Sequence, residues 1–272
     1  MKRKYFLNLS LGLNPEKNKP FHVKKAVLIE MLEKVINGEK LNTIDEYKLV
    51  QCMNVSALTG KLEEFYSISS CVTENDICRH RATNCNSICY DCYAMQSVSY
   101  RTNLELSLLV NHIILNCFDI SITAWKTLPI PSINGKARLE SHGDVASVQA
   151  SDNMAKIQLS HDHLTFGVWT KNYGFWYQTF KRYGKPANMI FLVSSDKKNQ
   201  IVKLPEYILP YVDHIFTVYD FETVKANDIN IQCGFHHCKD CMRCYTRGNT
   251  EFYINEILKK DTKKYKAYIG IE

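Results

Sequence analysis

The sequence predicts an α/β protein. Its core is a parallel sheet with crossover helices, a partial (β/α) barrel-like arrangement, with an N-terminal helical extension and a C-terminal cysteine-rich metal module. Three observations carry that expectation. From residue 65 onward, strand-like and helix-like segments alternate, as in a parallel sheet whose strands are joined by helices. Residues 22–36 form an amphipathic segment ahead of that alternation. Seven of the eleven cysteines fall into two tight groups, and clustered thiols in a reducing compartment are metal ligands more often than disulfides.

Taken in order, Met1 to Ser10 reads as a first strand, because its apolar stretch is too short for a signal peptide. In 22–36, Val23, Val27, Leu28, Met31, Leu32, Val35 and Ile36 recur at helical spacing, and Asn37 with Gly38 supplies a stop. A polar segment runs on to about Gly60. Phe65 to Ser70 alternates as a strand, and Leu104 to Cys117 is apolar on nearly every side, as a buried helix would be. Strands are expected at Ala137 to His142, Leu164 to Thr170, Met189 to Ser194 and His214 to Tyr219. Helices are expected at Asp152 to Leu159 and at the aromatic stretch Tyr173 to Tyr183. These elements divide the chain into an extension (1–60), an α/β core (61–222), and a cysteine-rich module with a basic tail (223–272). In such sheets ligands bind at the carboxyl ends of the strands. The first cysteine group and His142-Gly143-Asp144 both follow strands and are expected to share that edge.

Composition narrows the classes. The chain has 272 residues, 45% hydrophobic and 23% charged, with a net charge of +6 from 34 basic and 28 acidic residues. That balance is ordinary for a globular protein and only weakly favours an anionic partner such as nucleic acid. No apolar run reaches membrane-spanning length, so no membrane is expected as a partner. With no export signal the expected location is the cytoplasm. Cys52 and Cys117 stand alone in apolar or mixed surroundings and read as small core residues.

The first group contains Cys85, Cys89 and Cys92, spaced C-x3-C-x2-C. Thiolates suit iron–sulfur clusters or zinc. This spacing can hold three irons of a 4Fe–4S cluster and leave the fourth open to S-adenosylmethionine, whose reductive cleavage yields a 5′-deoxyadenosyl radical. With Cys78 added, the same thiols would form a closed zinc or iron–sulfur site; Cys71 is a further candidate. Gly143 would let backbone approach a ligand, Asp144 could accept from an ammonium group, and Lys171 could meet a carboxylate or phosphate. Asn172 is expected to cap the next helix, and His161 with His163 reads as a polar loop.

The second group is Cys233, Cys238, Cys241 and Cys244, four thiols within twelve residues. Its overlapping C-x2-C steps suit an auxiliary iron–sulfur cluster. Zinc competes, with His236 and His237 as further ligands and Lys239, Arg243 and Arg247 suited to a nucleic-acid-binding knuckle.

Cys85 to Ala94, ending Cys92-Tyr93-Ala94, resembles the cysteine loop of radical S-adenosylmethionine enzymes, although Asp91 stands where those enzymes usually place an aromatic residue. More closely, the chain resembles the phage gene-product-88 family. Its Cys92-Tyr93-Ala94, the segment Arg138 to Asp144, Thr170-Lys171 and the group Cys233 to Cys244 follow one another in that family's order over roughly residues 60–245. The resemblance implies a radical-enzyme-like core with Cys85, Cys89 and Cys92 on the catalytic cluster. Gly143 and Asp144 would then hold adenosylmethionine, and the second group an auxiliary cluster. An unidentified substrate and an electron-donating reductase are the implied partners. The alternative function is that of a zinc-stabilised phage-type protein that binds nucleic acid or a host protein without catalysis.

Overall fold

The apolar stripe of the first amphipathic segment forms helix α1 (Lys19–Ile36), which buries Leu28, Met31 and Leu32 completely. The structure is a computed structural model that describes residues 19–246 and 251–270. The strand expected at Met1 to Ser10, and Arg247, lie outside the described residues.

The polar segment that follows holds a helix the apolar pattern missed, α2 (Thr43–Cys52). Its signal is a capping box. Asp45 N–H donates to Asn42 Oδ1 at 3.0 Å, and Asn42 N–H donates to Asp45 Oδ2 at 3.2 Å. Asp45 also takes Lys34 of α1 at 2.8 Å, which ties the two helices together. Loss of this cap costs about 1 kcal/mol in comparable helices. Asn42→Ala should lower the unfolding free energy by that amount, read as a lower urea midpoint with an unchanged slope, and an unchanged midpoint would mean the cap is idle.

Beyond α2 come β1 (Ser56–Ala57), β2 (Tyr66–Ile68), α3 (Asp76–Ala82), α4 (Tyr93–Ser99), α5 (Thr102–Cys117) and α6 (Ile122–Trp125). Then β3 (Lys136–Leu139), α7 (Val148–Ser160), β4 (Thr165–Thr170), α8 (Tyr173–Tyr183), β5 (Met189–Ser194), β6 (His214–Tyr219) and α9 (Phe221–Asn227) follow. The chain ends in α10 (Cys238–Cys241), β7 (Tyr253–Ile257) and α11 (Thr262–Tyr268). The seven strands form one sheet in chain order, β1 to β7. Only β1 and β2 run antiparallel; every other neighbouring pair is parallel. Helices α5, α7 and α8, which connect successive strands, pack on one face of the sheet. No ladder among the described residues joins β7 back to β1.

The helix-side face of the sheet presents Ile68, Leu139, Phe166, Val168, Phe191 and Val193 to a core shared with α1, α5, α7 and α8. The opposite face carries Ile190, Leu192 and Ile254, with Trp169, Phe216, Cys233 and Cys244 packed on them. Every residue of β5 is buried, as expected of a strand covered on both sides. Cys52 and Cys117 lie in the core, as their surroundings indicated.

Several expectations need correction. The strand from Ala137 stops at Leu139 rather than His142, because Glu140 adopts φ +56° and turns its side chain onto Ser70. Asn172 sits at the N-terminus of α8 but does not cap it; its amide donates to Val145 O at 2.7 Å. His161 is buried rather than part of a polar loop. Its ring nitrogens lie 2.8 Å from the carbonyls of Ile157 and Leu128. β7, a strand the sequence reading did not name, pairs with β6 along five residues.

Candidate functional site

The carboxyl ends of β2, β3 and β4 are held together by two buried carboxylates. Asp144 follows β3 in a turn. Its Oδ1 accepts from Thr170 Oγ1 at 2.6 Å and from Val145 N–H at 2.9 Å, and its Oδ2 accepts from Lys171 N–H at 2.8 Å. Arg81 of α3 stands 3.7 Å from Oδ2 and donates to Lys171 O at 3.2 Å. The Asp144 oxygens are thus occupied by the protein's own donors. Gly143 has φ +118°, and a Cβ there would lie 3.0 Å from Ser70 O and 3.1 Å from Glu140 Oε2. Close approach of the chain to itself therefore accounts for this glycine.

Glu140 went unnoticed in the sequence, because its partner lies seventy residues away. Its carboxyl accepts from Ser70 N–H at 2.9 Å and Ser70 Oγ at 2.7 Å. Burial pushes it up to about 8, the two Ser70 bonds oppose that, and Asp144 adds to the rise. The folded protein then holds this proton more tightly than the unfolded chain, whose glutamates titrate near ~4.3. The resulting stability is complete below that value and is lost as pH rises toward 8. Glu140→Gln mimics the neutral acid and removes the loss. Urea titrations from about pH 5 to about pH 8 should show the variant gaining steadily on the parent. A constant difference across that range would mean that Glu140 is ionised throughout.

The first cysteine group lies across this same edge. Asn75 caps α3 by accepting from Ile77 N–H and Cys78 N–H, and its amide donates to Asp144 O at 2.7 Å. Farther along, Ile88 N–H donates to Asp196 O at 2.7 Å, at the end of β5. Tyr93 Oη donates to Ser141 O after β3. The loop is therefore pinned at β3 and at β5. Cys78 is brought near Asp144, Cys89 and Lys171. Its thiol is pushed far up, first by burial and then by the negative charges of Asp144 and Cys89. Cys85 is exposed, while Cys89 and Cys92 are half-buried. Cys92 packs against the small cluster of Cys71, Val72, Ala94 and Val98. Cys71 is buried there, with its sulfur 3.0 Å from Thr73 Oγ1. A chain of hydroxyls on this edge links Ser67, Ser69 and Ser141, and Ser141 Oγ lies 3.2 Å from His142 Nδ1.

The second group covers the sheet face that the helices leave free. Cys233, Cys238, Cys241 and Cys244 line one cavity with room of about 20 Å³. Cys233 is held beside β7, its N–H donating to Asn255 O at 3.0 Å and its carbonyl accepting from Ile257 N–H at 3.2 Å. Lys61 Nζ pairs with Glu256 and stands 3.7 Å from Cys233 Sγ. Burial pushes the Cys233 thiol up to about 12, with Glu256 adding to it and Lys61 opposing. Burial raises Cys244 well above the ordinary thiol range, and Cys233 and Cys238 add to that.

A family model described as gene product 88 matches residues 32–267. The chain belongs to the gene product 88 family. The match spans both cysteine groups and all seven strands of this family member. No curated protein and no solved structure matches it. No helix among the described residues is long and apolar enough to cross a membrane.

Among the described residues of this gene product 88 chain, no three His, Cys, Asp or Glu side chains converge closely enough to hold one ion. The donor sets nevertheless suit a thiophilic metal. The four cysteines of the second group line one cavity, with Lys61 beside Cys233. The first presents three thiols at a strand edge where Arg81 and Lys171 supply positive charge.

Proposed function

We propose that this chain is an iron–sulfur enzyme of the radical S-adenosylmethionine type, with its sheet curved as a partial barrel and its C-terminal cysteines as a second metal site. The observation that carries this reading is placement. The C-x3-C-x2-C loop lies along the carboxyl edge of a parallel sheet in chain order, where such sheets bind ligands. Cys85, Cys89 and Cys92 would hold a 4Fe–4S cluster there. When bound, that cluster and adenosylmethionine supply the electron transfer and radical chemistry. The chain's own contribution is positioning. Lys171 is the edge cation available to the cofactor's carboxylate. Asp144 fixes Lys171 through its backbone N–H, and Gly143 keeps the turn tight against Ser70.

A second reading draws on Cys78, which lies beside Cys89. Cys78, Cys85, Cys89 and Cys92 would then close around zinc, and the chain would be a zinc-stabilised protein that binds nucleic acid or a host protein. One experiment separates the two. The chain is purified without oxygen, its iron, sulfide and zinc are measured, and adenosylmethionine and dithionite are added. Iron with formation of 5′-deoxyadenosine supports the radical reading. Zinc without iron supports the second reading and ends the first.

A further inference from the structure

The sheet face under the second cysteine group carries an arginine that no carboxylate answers. Arg138 points from the middle of β3, in register with Ser67 on one side and Gly167 on the other. Its guanidinium carbon lies 3.9 Å from the centre of the Trp169 ring, and its Nε is buried with no hydrogen-bond partner. Among the described residues it forms no ion pair. Three other cations around the second group have acids, Lys61 with Glu256, Lys239 with Glu64 and Arg243 with Glu251, while Lys136 donates to Tyr245 O at 3.1 Å. Gly167 makes the close packing possible, since a Cβ there would lie 2.7 Å from Tyr245 Cε1. Tyr245 directly follows Cys244, and its ring centre lies 5.4 Å from that of Trp169.

A half-buried cation whose Nε is shut off from water and unpartnered is costly, and such groups persist where a partner compensates them. Arg138 is tied to the second group by geometry: the Trp169 ring under its guanidinium packs on the same sheet face as Cys233 and Cys244. Both are cysteines of the four-thiol cavity. Four thiolates around a dipositive metal core carry a net double negative charge, whether the core is one zinc ion or a 4Fe–4S cluster. Arg138 and the Lys61–Glu256 pair would then flank an anionic centre.

We propose that Arg138 is the counter-cation of a metal–thiolate centre formed by Cys233, Cys238, Cys241 and Cys244. The guanidinium is held in place by Trp169 before metal arrives, so the thiolates form beside a fixed positive charge. The inference rests on the metal-site reading of the second cysteine group and is independent of any radical step.

The test uses the full chain carrying Cys85→Ala, Cys89→Ala and Cys92→Ala, so that retained metal reports on the second group alone. Metal per chain and the rate of metal loss to an excess of chelator are measured, with circular dichroism as the check on folding. Zinc, or iron with sulfide, shows which core the four thiols hold. Arg138→Gln is expected to speed metal loss at least about tenfold, the equivalent of one lost charge-assisted contact. Arg138→Lys, which keeps the charge, should stay within about threefold of the parent. If Arg138→Gln does not fold, Trp169→Leu, which frees the guanidinium without removing it, should give an intermediate rate. Metal loss from Arg138→Gln at the parent rate would overturn the proposal, and so would a triple-alanine chain that holds no metal. Failure of the radical reading leaves both measurements intact.

Discussion

Under the proposed radical reading, replacing Cys85, Cys89 and Cys92 together with alanine is expected to abolish 5′-deoxyadenosine formation and to remove any iron held at the carboxyl edge. The three thiols sit in one loop over that edge, and the loop is anchored by contacts that do not involve sulfur. Ile88 N–H on Asp196, Asn75 on Asp144 O and Tyr93 on Ser141 O all survive the substitution. The fold should therefore persist while the chemistry is lost, by several orders of magnitude in rate. Cys78→Ala adds resolution. With an open cluster it leaves adenosylmethionine cleavage near the parent level, whereas with a closed four-thiol site it costs metal as heavily as loss of any loop cysteine. A triple variant that kept its full iron content would place the metal elsewhere and sink the reading.

Asp144→Ala should be the most damaging single substitution at the edge outside the cysteines. It strands the Thr170 hydroxyl and the Lys171 N–H, and it leaves Arg81 without its carboxylate. Each stranded buried donor costs on the order of 1–3 kcal/mol. Arg81 keeps some access to water, so its share is smaller. A total loss of roughly 3 kcal/mol is expected, read as a fall in the urea midpoint. Thr170→Val, which deletes one of these bonds, should cost roughly 1 kcal/mol. Equal, small losses from both variants would show that the edge tolerates an unfilled carboxylate position and that Asp144 has little part in holding Lys171.

Much of the architecture was legible because the central elements advertise themselves. β5 and β6 are short apolar and β-branched runs bounded by turn residues, and α8 carries its aromatics at helical spacing; all three fall where expected. Helix α2 was missed because only Leu49, Val50 and Cys52 among its apolar residues are buried, and its main signal is the cap at Asn42. β7 was missed because Asn255 and Glu256 interrupt its apolar character; its place is set by pairing with β6. At the candidate site, cysteine spacing named the thiols directly. Glu140 and Lys61 were invisible, and Arg138 stood out only as the start of the family-like segment, since each acquires its role from a partner on another element. Glu140 meets Ser70, Arg138 meets Trp169 and Lys61 meets Glu256. Asp144 was found for its position, but its bonds to Thr170 and Lys171 could not be read from local sequence.

The strand order also bears on how the molecule is made. Each new strand joins the one synthesised just before it, so from β2 onward the sheet can grow along a single edge as the chain leaves the ribosome. The second cysteine group is synthesised between β6 and β7, and Cys233 is fastened by backbone bonds to Asn255 and Ile257 in that last strand. Before β7 arrives, β6 is an open edge and Cys233 lacks its backbone anchors, with Trp169, Ile190 and Leu192 behind the group. Closure of the sheet and enclosure of the four thiols are then a single late event, and a nascent chain halted before residue 253 would lack both.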